Sequence, residues 1–218
     1  MRKTFDAELQ ELNYEMIDMA AAAEDAIDVV TESLASGDDA AAKSAVEMTR
    51  SMDQMERDIE NRCLRLLLQQ QPVARDLRQI SAALKMITDM ERIGDQAEDI
   101  AEIVAFLDGR QAENDALLKE MAKAVIQMVT ESVDAYVKCD IMLAKKVIAA
   151  DDVVDEQFAR VKQSLIGKIA ADPADGEYAL DLLMIAKYYE RIGDHATNIA
   201  EWVIYSVTGT HKDEITLT

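Results

Sequence analysis

The sequence predicts an all-α protein, a tandem repeat of two three-helix bundles built from six long helices. Three observations predict this class. The 218 residues include only 7 Gly and 2 Pro, which leaves few turns for a sandwich or a barrel. Apolar residues recur in steps of three and four, the spacing of a helix-packing stripe. A pentapeptide at Glu91 also recurs unchanged at Glu190, an offset of 99.

Helix-breaking Gly and Pro residues, together with the apolar stripes, delimit three helices in the first unit. The first helix is predicted to end near Gly37 and the second near Pro72. The third is predicted to start at Pro72, where Asp76 suits the positive end of the helix dipole, and to end near Gly109. The stripe of the first helix consists of Leu9, Leu12, Met16, Met19, Ala23, Ala26 and Val30.

The second unit follows Gly109 and has the same plan. Its first stripe consists of Met121, Val125, Met128, Ser132, Ala135 and Cys139. We therefore expect Cys139, like Cys63, to be a small core residue within a helix. The last helix is predicted to begin at Pro173, with Asp172 as its N-cap.

The offset of 99 holds across separated stretches, which indicates a duplication. It relates Glu91–Asp95 to Glu190–Asp194, Thr31–Ser33 to Thr130–Ser132, and Ile100–Glu102 to Ile199–Glu201. We therefore predict a first bundle over 1–109 and a second over 110–218, with three helices in each.

Charge and cysteine content exclude several functional classes. The formal net charge of -20 argues against binding nucleic acid, or anionic lipid through a polybasic patch. Two cysteines cannot build a disulfide framework, and no apolar run approaches a membrane span. Nothing at the start resembles a secretory signal. We expect a reduced, cytoplasmic protein.

The third helix of each unit carries acidic residues four positions apart, which lie on one helical face. These ladders consist of Glu91, Asp95 and Asp99, and of Glu190, Asp194 and Asn198. Gly94 and Gly193 lie inside them and each costs a helix about 1 kcal/mol relative to Ala. Glycine permits close approach by a neighbouring helix or a ligand, and oxygen-rich faces suit hard cations. Alternatively, Arg92 and Arg191 neutralise the ladders as ordinary surface charge.

A second acidic pair, Asp151 and Asp155, lies on the fifth helix. In an antiparallel bundle this pair can face the Glu190 ladder across a groove. The equivalent residues of the second helix are Met52 and Glu56, so the first unit has lost one carboxylate. The spacing therefore favours the second unit as the better metal site.

At these motifs the chain resembles the PhoU family of bacterial phosphate-transport accessory proteins. The similar stretches are ERIGDQAEDIAE from Glu91, ERIGDHATNIAE from Glu190, QQPVARDLRQI around Pro72, and DDVVD from Asp151. The resemblance covers essentially the whole chain. It implies two repeated three-helix bundles and, in some members, multinuclear iron or zinc clusters on paired E/D-x-x-x-D motifs. Other members have been found without metal.

The resemblance also implies ligands, partners and a function. The ligand candidates are Glu91 and Asp95 with Glu56, then Glu190 and Asp194 with Asp151 and Asp155, and more weakly Asp99 and Asn198. The implied role is negative regulation of the phosphate-starvation response. A cytoplasmic adaptor, expected to dimerise, would link the ATPase of the phosphate ABC transporter to the membrane-bound sensor histidine kinase.

Other interpretations remain open at this stage. Neither His195 nor His211 follows a Glu by three residues, so the ferritin-like di-iron signature is missing, as are nucleotide-binding glycine motifs. A metal-storage or metal-dependent hydrolase bundle is the alternative to a non-enzymatic adaptor, and a purely structural scaffold is the third. Arg75 and Arg78 either accompany a helix start or form a cationic docking or phosphate-contacting spot.

Overall fold

The computed structural model describes residues 2–70, 72–107 and 116–210. These ranges contain six long α-helices and no strand, which confirms the predicted fold class. The helices are α1 (Arg2–Ser36), α2 (Asp39–Gln70), α3 (Ala74–Phe106), α4 (Ala116–Lys138), α5 (Ile141–Ala171) and α6 (Gly176–Thr208). The predicted boundary at Gly109 lies outside the described residues.

The predicted helix end at Gly37 is confirmed, whereas the predicted helix starts at Pro72 and Pro173 are displaced. Gly37 follows α1 with a φ of 73°, and its N–H donates to the Ser33 carbonyl over 2.8 Å, the left-handed cap that glycine favours. Helix α3 begins at Ala74 rather than at Pro72, with Val73 as its N-cap, and Asp76 lies in its first turn as predicted. The last helix does not begin at Pro173, because Pro173–Asp175 forms a separate 3-10 turn before α6. Asp172 caps that short turn instead, accepting from the Ala174 N–H at 3.0 Å.

Cys139 corrects a second prediction. It lies outside any helix, in the turn between α4 and α5, at a φ of 53°. Asp140 then caps α5 by accepting from the N–H groups of Met142 and Leu143 at 2.9 and 3.0 Å. The apolar stripe predicted a helix at Cys139 because this residue follows Ala135 by four positions, and no Gly or Pro marks the turn. Cys63, by contrast, is fully buried in α2, where burial raises the pKa of its thiol to about 12.

The helices pack as two bundles fused along a seam between equivalent helices. Helices α1, α2 and α3 pack on one another, as do α4, α5 and α6. Between the bundles α3 packs on α6 and α1 packs on α4. Two of the three helices of each repeat thus meet their own copies, the arrangement of an isologous contact, whereas α2 and α5 lie on the outside. One apolar core runs through both bundles and includes the predicted stripe of α1 from Leu12 to Val30. It includes the stripe of α4 except for Ser132, which is buried but polar, and Cys139, which is only partly buried.

Buried hydrogen bonds reinforce this seam. The Tyr189 hydroxyl donates to Thr31 Oγ1 at 2.7 Å, since Thr31 itself donates to the Ile27 carbonyl. Tyr136 donates to the carbonyl of Gln79 at 3.3 Å, from α4 to α3. Burial raises the pKa of both tyrosines, so each hydroxyl keeps its proton and remains a donor. Helix packing and polar contacts together make the two bundles a single body.

Candidate functional site

Two acidic residues of α5 face two acidic residues of α6. Asp151 and Asp155 lie one turn apart on α5, and Glu190 and Asp194 lie one turn apart on α6. The negative charges of Asp194, Asp155 and Glu190 all act on Asp151, so the four carboxylates lie near one another where α5 packs on α6. We call this region the second groove. The structure thus brings together the four residues that the sequence grouped in the second unit.

Two carboxylates of the second groove, Asp151 and Asp194, are costly to ionise. Burial raises the pKa of Asp151, and the nearby charge of Asp194 raises it further. Burial also raises the pKa of Asp194, followed by the charge of Glu190, with Lys187 acting in the opposite direction. The Lys187 ammonium bonds the Glu190 carboxylate and lies 5.6 Å from the centre of the Phe158 ring. Lys187 therefore supplies part of the positive charge that this groove needs.

The equivalent groove between α2 and α3 holds Glu56, Glu91 and Asp95, and we call it the first groove. Burial raises the pKa of Glu91, the charge of Asp95 adds to the effect, and that of Glu56 contributes less. Arg92 counters these charges: it lies 2.8 Å from Asp95 and 3.5 Å from Glu91. Glu91 and Asp95 of the first groove are thus already paired with a guanidinium, as expected if Arg92 neutralises the ladder as ordinary surface charge.

The two helix glycines lie under these grooves, and their neighbours differ. A Cβ placed on Gly193 would lie 3.5 Å from Val154 Cγ1 and 3.6 Å from Asp151 Oδ1, which is ordinary contact. A Cβ on Gly94 would lie only 3.1 Å from Met52 Sδ. The buried Met52 side chain occupies the place that Asp151 has in the second groove. The first groove is therefore apolar at the position where the second presents an oxygen donor.

Neither groove forms a closed cation cage in the conformation described. Within 2–70, 72–107 and 116–210, no three His, Cys, Asp or Glu side chains surround a common point as metal ligands do. The donor chemistry of the second groove is nevertheless that of a hard divalent cation site, because its four neighbouring side chains are all carboxylates. A cation there would displace Lys187 from Glu190. The first groove fits less well, since it has Met52 and the Arg92 pairs.

Asp99 and Asn198, the third residues of the two acidic ladders, lie at the seam between the bundles rather than in the grooves. Asn198 donates to Asp89 of α3 over 3.1 Å, and His195 Nδ1 lies 2.9 Å from the same oxygen. Burial raises the pKa of Asp99, neighbouring carboxylates add to it, and Arg191 of α6 opposes it. Successive ladder residues are rotated by about 40° around the helix axis, so the third residue of each ladder faces the other bundle. Asp99 and Asn198 remain predicted ligands that this placement does not favour.

Asp89 is the residue that sequence reasoning missed. Its equivalent in the second repeat is Tyr188, so the repeat comparison gave no signal for it. Its side chain is 16% exposed and binds across the seam, where it accepts from two residues of α6. Only the packing of α3 on α6 reveals this role.

The junction arginines separate into one structural and one exposed residue. Arg78 Nε donates to the Ser206 carbonyl at 3.4 Å, and its guanidinium packs beside Gly209 at the end of α6. A cation at a helix C-terminus is favourable, because the last carbonyls carry partial negative charge. Arg75 is exposed. The structural interpretation thus accounts for Arg78 but not for Arg75.

Fold and grooves together define a class of protein, the duplicated helical bundle with carboxylate-lined grooves. A family model for the PhoU domain matches residues 16–104 and again 118–203. The chain therefore belongs to the PhoU family, and its two repeats are two PhoU domains. No helix of the described ranges combines the length and the apolar character that spanning a bilayer requires.

Characterised relatives cover almost the full length. The chain is 37% identical to the phosphate-specific transport system accessory protein PhoU homolog of Clostridium acetobutylicum, over 97% of this chain and 98% of that protein. The corresponding homolog of Pseudomonas aeruginosa is 34% identical over 98% and 89%.

Solved structures agree with this relationship. The crystal structure of PhoU from Pseudomonas aeruginosa superposes with a TM-score of 0.88 at 34% identity, covering 94% of this chain and all of that one. The phosphate transport system regulatory protein PhoU from Streptococcus pneumoniae gives 0.87 at 26% identity, covering 95% and 98%. The chain is thus an accessory-type protein associated with phosphate transport by family.

Proposed function

We propose that this protein is a negative regulator of the phosphate-starvation response that modulates phosphate uptake as a cytoplasmic adaptor. Its partners would be the ATPase subunit of the phosphate ABC transporter and the sensor histidine kinase of the phosphate regulon. The observation that carries the proposal is the match of both repeats, over nearly the whole chain, to proteins described as phosphate transport accessories. A homodimer is proposed as the working assembly.

The proposed mechanism is stoichiometric rather than catalytic. Binding to one partner surface or the other would transmit phosphate status, without turnover of a substrate. The fused core supports this role, since one rigid body with two different bundles can present separate faces to two partners. The outer helices α2 and α5 make their main contacts within their own bundles, so each has an outward side.

Deletion with complementation tests the proposed function. In phosphate-replete cells, loss of the gene is expected to derepress a phosphate-starvation reporter, and the wild-type chain is expected to restore repression. Tagged protein is also expected to co-purify with the transporter ATPase subunit. An unchanged reporter in the deletion strain would refute the regulatory assignment.

Metal binding is a second candidate, and the clustering of carboxylates in the second groove favours it. Iron, zinc or another divalent cation would be held by Asp151, Asp155, Glu190 and Asp194. Titration calorimetry with zinc should give a site that weakens at least about tenfold in a paired variant, Asp151→Asn with Asp194→Asn. The matched control is Glu56→Gln in the first groove. If the paired variant bound zinc as tightly as the control variant, the zinc site would lie outside the second groove.

The enzyme alternative requires its own measurement. A metal-dependent hydrolase or a metal-storage bundle would use the same carboxylates, because they can hold a Lewis-acidic ion. Purified protein loaded with zinc or iron is tested for phosphoester hydrolysis. Turnover that disappears in Asp194→Asn would overturn the adaptor proposal. Absence of turnover with intact repression supports it.

A further inference from the structure

The turn between α2 and α3 carries an arginine cluster that the duplication does not repeat. Residues 61–80 contain four Arg and one Asp, whereas the equivalent residues 160–179 contain three basic and three acidic residues. The local balance is therefore +3 against 0, in a chain of formal charge -20. Under the offset of 99, the arginines at 62, 65, 75 and 78 correspond to Val161, Ser164, Ala174 and Glu177. Over this stretch only the first repeat carries a net positive charge.

Internal contacts account for only two of the four arginines. Arg62 lies 2.9 Å from Glu8 and 2.6 Å from Glu15, and thereby ties α2 to α1. Arg78 bonds to the end of α6, as described above. The other two, Arg65 and Arg75, are exposed, and neither forms an ion pair with any residue that the structure describes. Their charges are therefore available to a partner.

Large apolar side chains are exposed at the same turn. Leu64 and Leu68 lie one turn apart at the end of α2, and Val73 and Leu77 lie one turn apart at the start of α3. Leu68 is 83% exposed and Val73 is 60% exposed. Exposed leucines grouped beside unpaired arginines are typical of interaction surfaces rather than of solvated helix ends.

We propose that this surface, the α2–α3 tip, docks an acidic and apolar face of a protein partner. The tip consists of Leu64, Arg65, Leu68, Val73, Arg75 and Leu77. Charge complementarity selects this occupant, because the tip presents the free arginines Arg65 and Arg75 on a chain whose formal net charge is -20. A lipid surface fits less well: polybasic membrane contacts use about four to eight clustered cations, and the tip has two free ones. The rest of the chain would repel an anionic bilayer.

The proposal rests on the proposed function, which supplies the partner for the test. Purified transporter ATPase subunit is titrated with wild-type protein, with a charge-reversed tip (Arg65→Glu and Arg75→Glu), and with Leu68→Ser. Each tip change is expected to weaken binding about tenfold or more, and charge reversal is also expected to reduce the salt dependence. Every substituted residue is exposed, so thermal unfolding should not change.

Matched controls lie at the equivalent turn of the second repeat. Lys162→Glu with Lys168→Glu reverses two exposed lysines there, and Ile166→Ser removes an exposed apolar side chain. These controls are expected to bind like wild type. If tip and control variants bind equally well, the tip proposal fails while the adaptor function stands. If wild-type protein does not bind the subunit at all, the adaptor function fails and the tip proposal fails with it.

Two further measurements separate other occupants of the tip. Flotation with phosphatidylserine vesicles would overturn the proposal if wild-type protein bound them and the charge-reversed tip did not. Light scattering would overturn it in favour of self-association if the tip variants lowered the oligomeric mass. Unchanged mass and no vesicle binding, together with lost subunit binding, are the results the proposal requires.

Discussion

Alanine at the two helix glycines should have different effects on stability, although both glycines stand in the same pentapeptide. Replacing Gly by Ala in a helix interior gains about 1 kcal/mol from propensity. At Gly193 the new methyl would meet its neighbours at 3.5 Å or more, which is ordinary contact. Gly193→Ala should therefore raise the free energy of unfolding by about 1 kcal/mol, and the midpoint temperature by about 2–4 °C.

At Gly94 the same methyl would lie 3.1 Å from Met52 Sδ and 3.3 Å from Met52 Cε. The buried thioether must move by a few tenths of an ångström, and overpacking of this kind costs about 1–3 kcal/mol. Gly94→Ala should therefore be neutral or destabilising by up to about 2 kcal/mol, once the propensity gain is subtracted. The difference between the two variants is the quantity that the structure predicts.

Urea unfolding followed by circular dichroism measures both variants, and a double-mutant cycle supplies the control. In a Met52→Ala background the methyl at position 94 has room, so Gly94→Ala should become stabilising, as at Gly193. Equal stabilisation by the two single substitutions would refute close approach as the reason for glycine at position 94. If the double-mutant cycle gave no coupling free energy between Gly94→Ala and Met52→Ala, Met52 would be excluded as the cause of the difference between the two glycines.

Three other predictions address the seam, the second groove and the α4–α5 turn. Tyr189→Phe removes the donor to Thr31 and should cost about 1 kcal/mol in urea unfolding; no loss would mean that the bond contributes nothing net. Asp151→Asn should stabilise the protein at pH 7, because the raised pKa of Asp151 makes its charge unfavourable in the folded state. That gain should shrink as pH falls towards 3.8, where the wild-type residue is protonated; a gain independent of pH would contradict this cause. Cys139→Gly relieves a positive φ and should stabilise by about 1 kcal/mol, and thermal unfolding that shows a loss would instead assign Cys139 a packing role.

The sequence predicted what depends on local spacing. The period of apolar residues gave the helices, and the constant offset gave the duplication and the grouping of carboxylates in each groove. These features follow from the geometry of a single helix, which is the same wherever the helix packs. The cap at Gly37 was equally predictable, since a left-handed turn selects glycine.

What could not be predicted depends on how helices meet. Asp89 acquires its role only because α3 packs on α6, and Asp99 turns towards the seam for the same reason. Arg78 reaches the end of a helix more than a hundred residues away in sequence. The turn at Cys139 lacked Gly and Pro, although Asp140 was a usable N-cap signal. The apolar period of one helix does not determine its crossing angle with a neighbouring helix, or its rotation against that neighbour.

The packing of α1 on α4 and of α3 on α6, each helix against its own copy, has an evolutionary consequence. In a symmetric homodimer one codon specifies both halves, so every substitution appears twice. Once the halves are joined in one chain, each can change alone while the shared core is kept. Asp89 contacts His195, whereas the equivalent residues of the other repeats are Tyr188 and Gln96. This difference shows that such independent change has occurred. Duplication within one chain thus lets each half of the fold change its surface without changing the other.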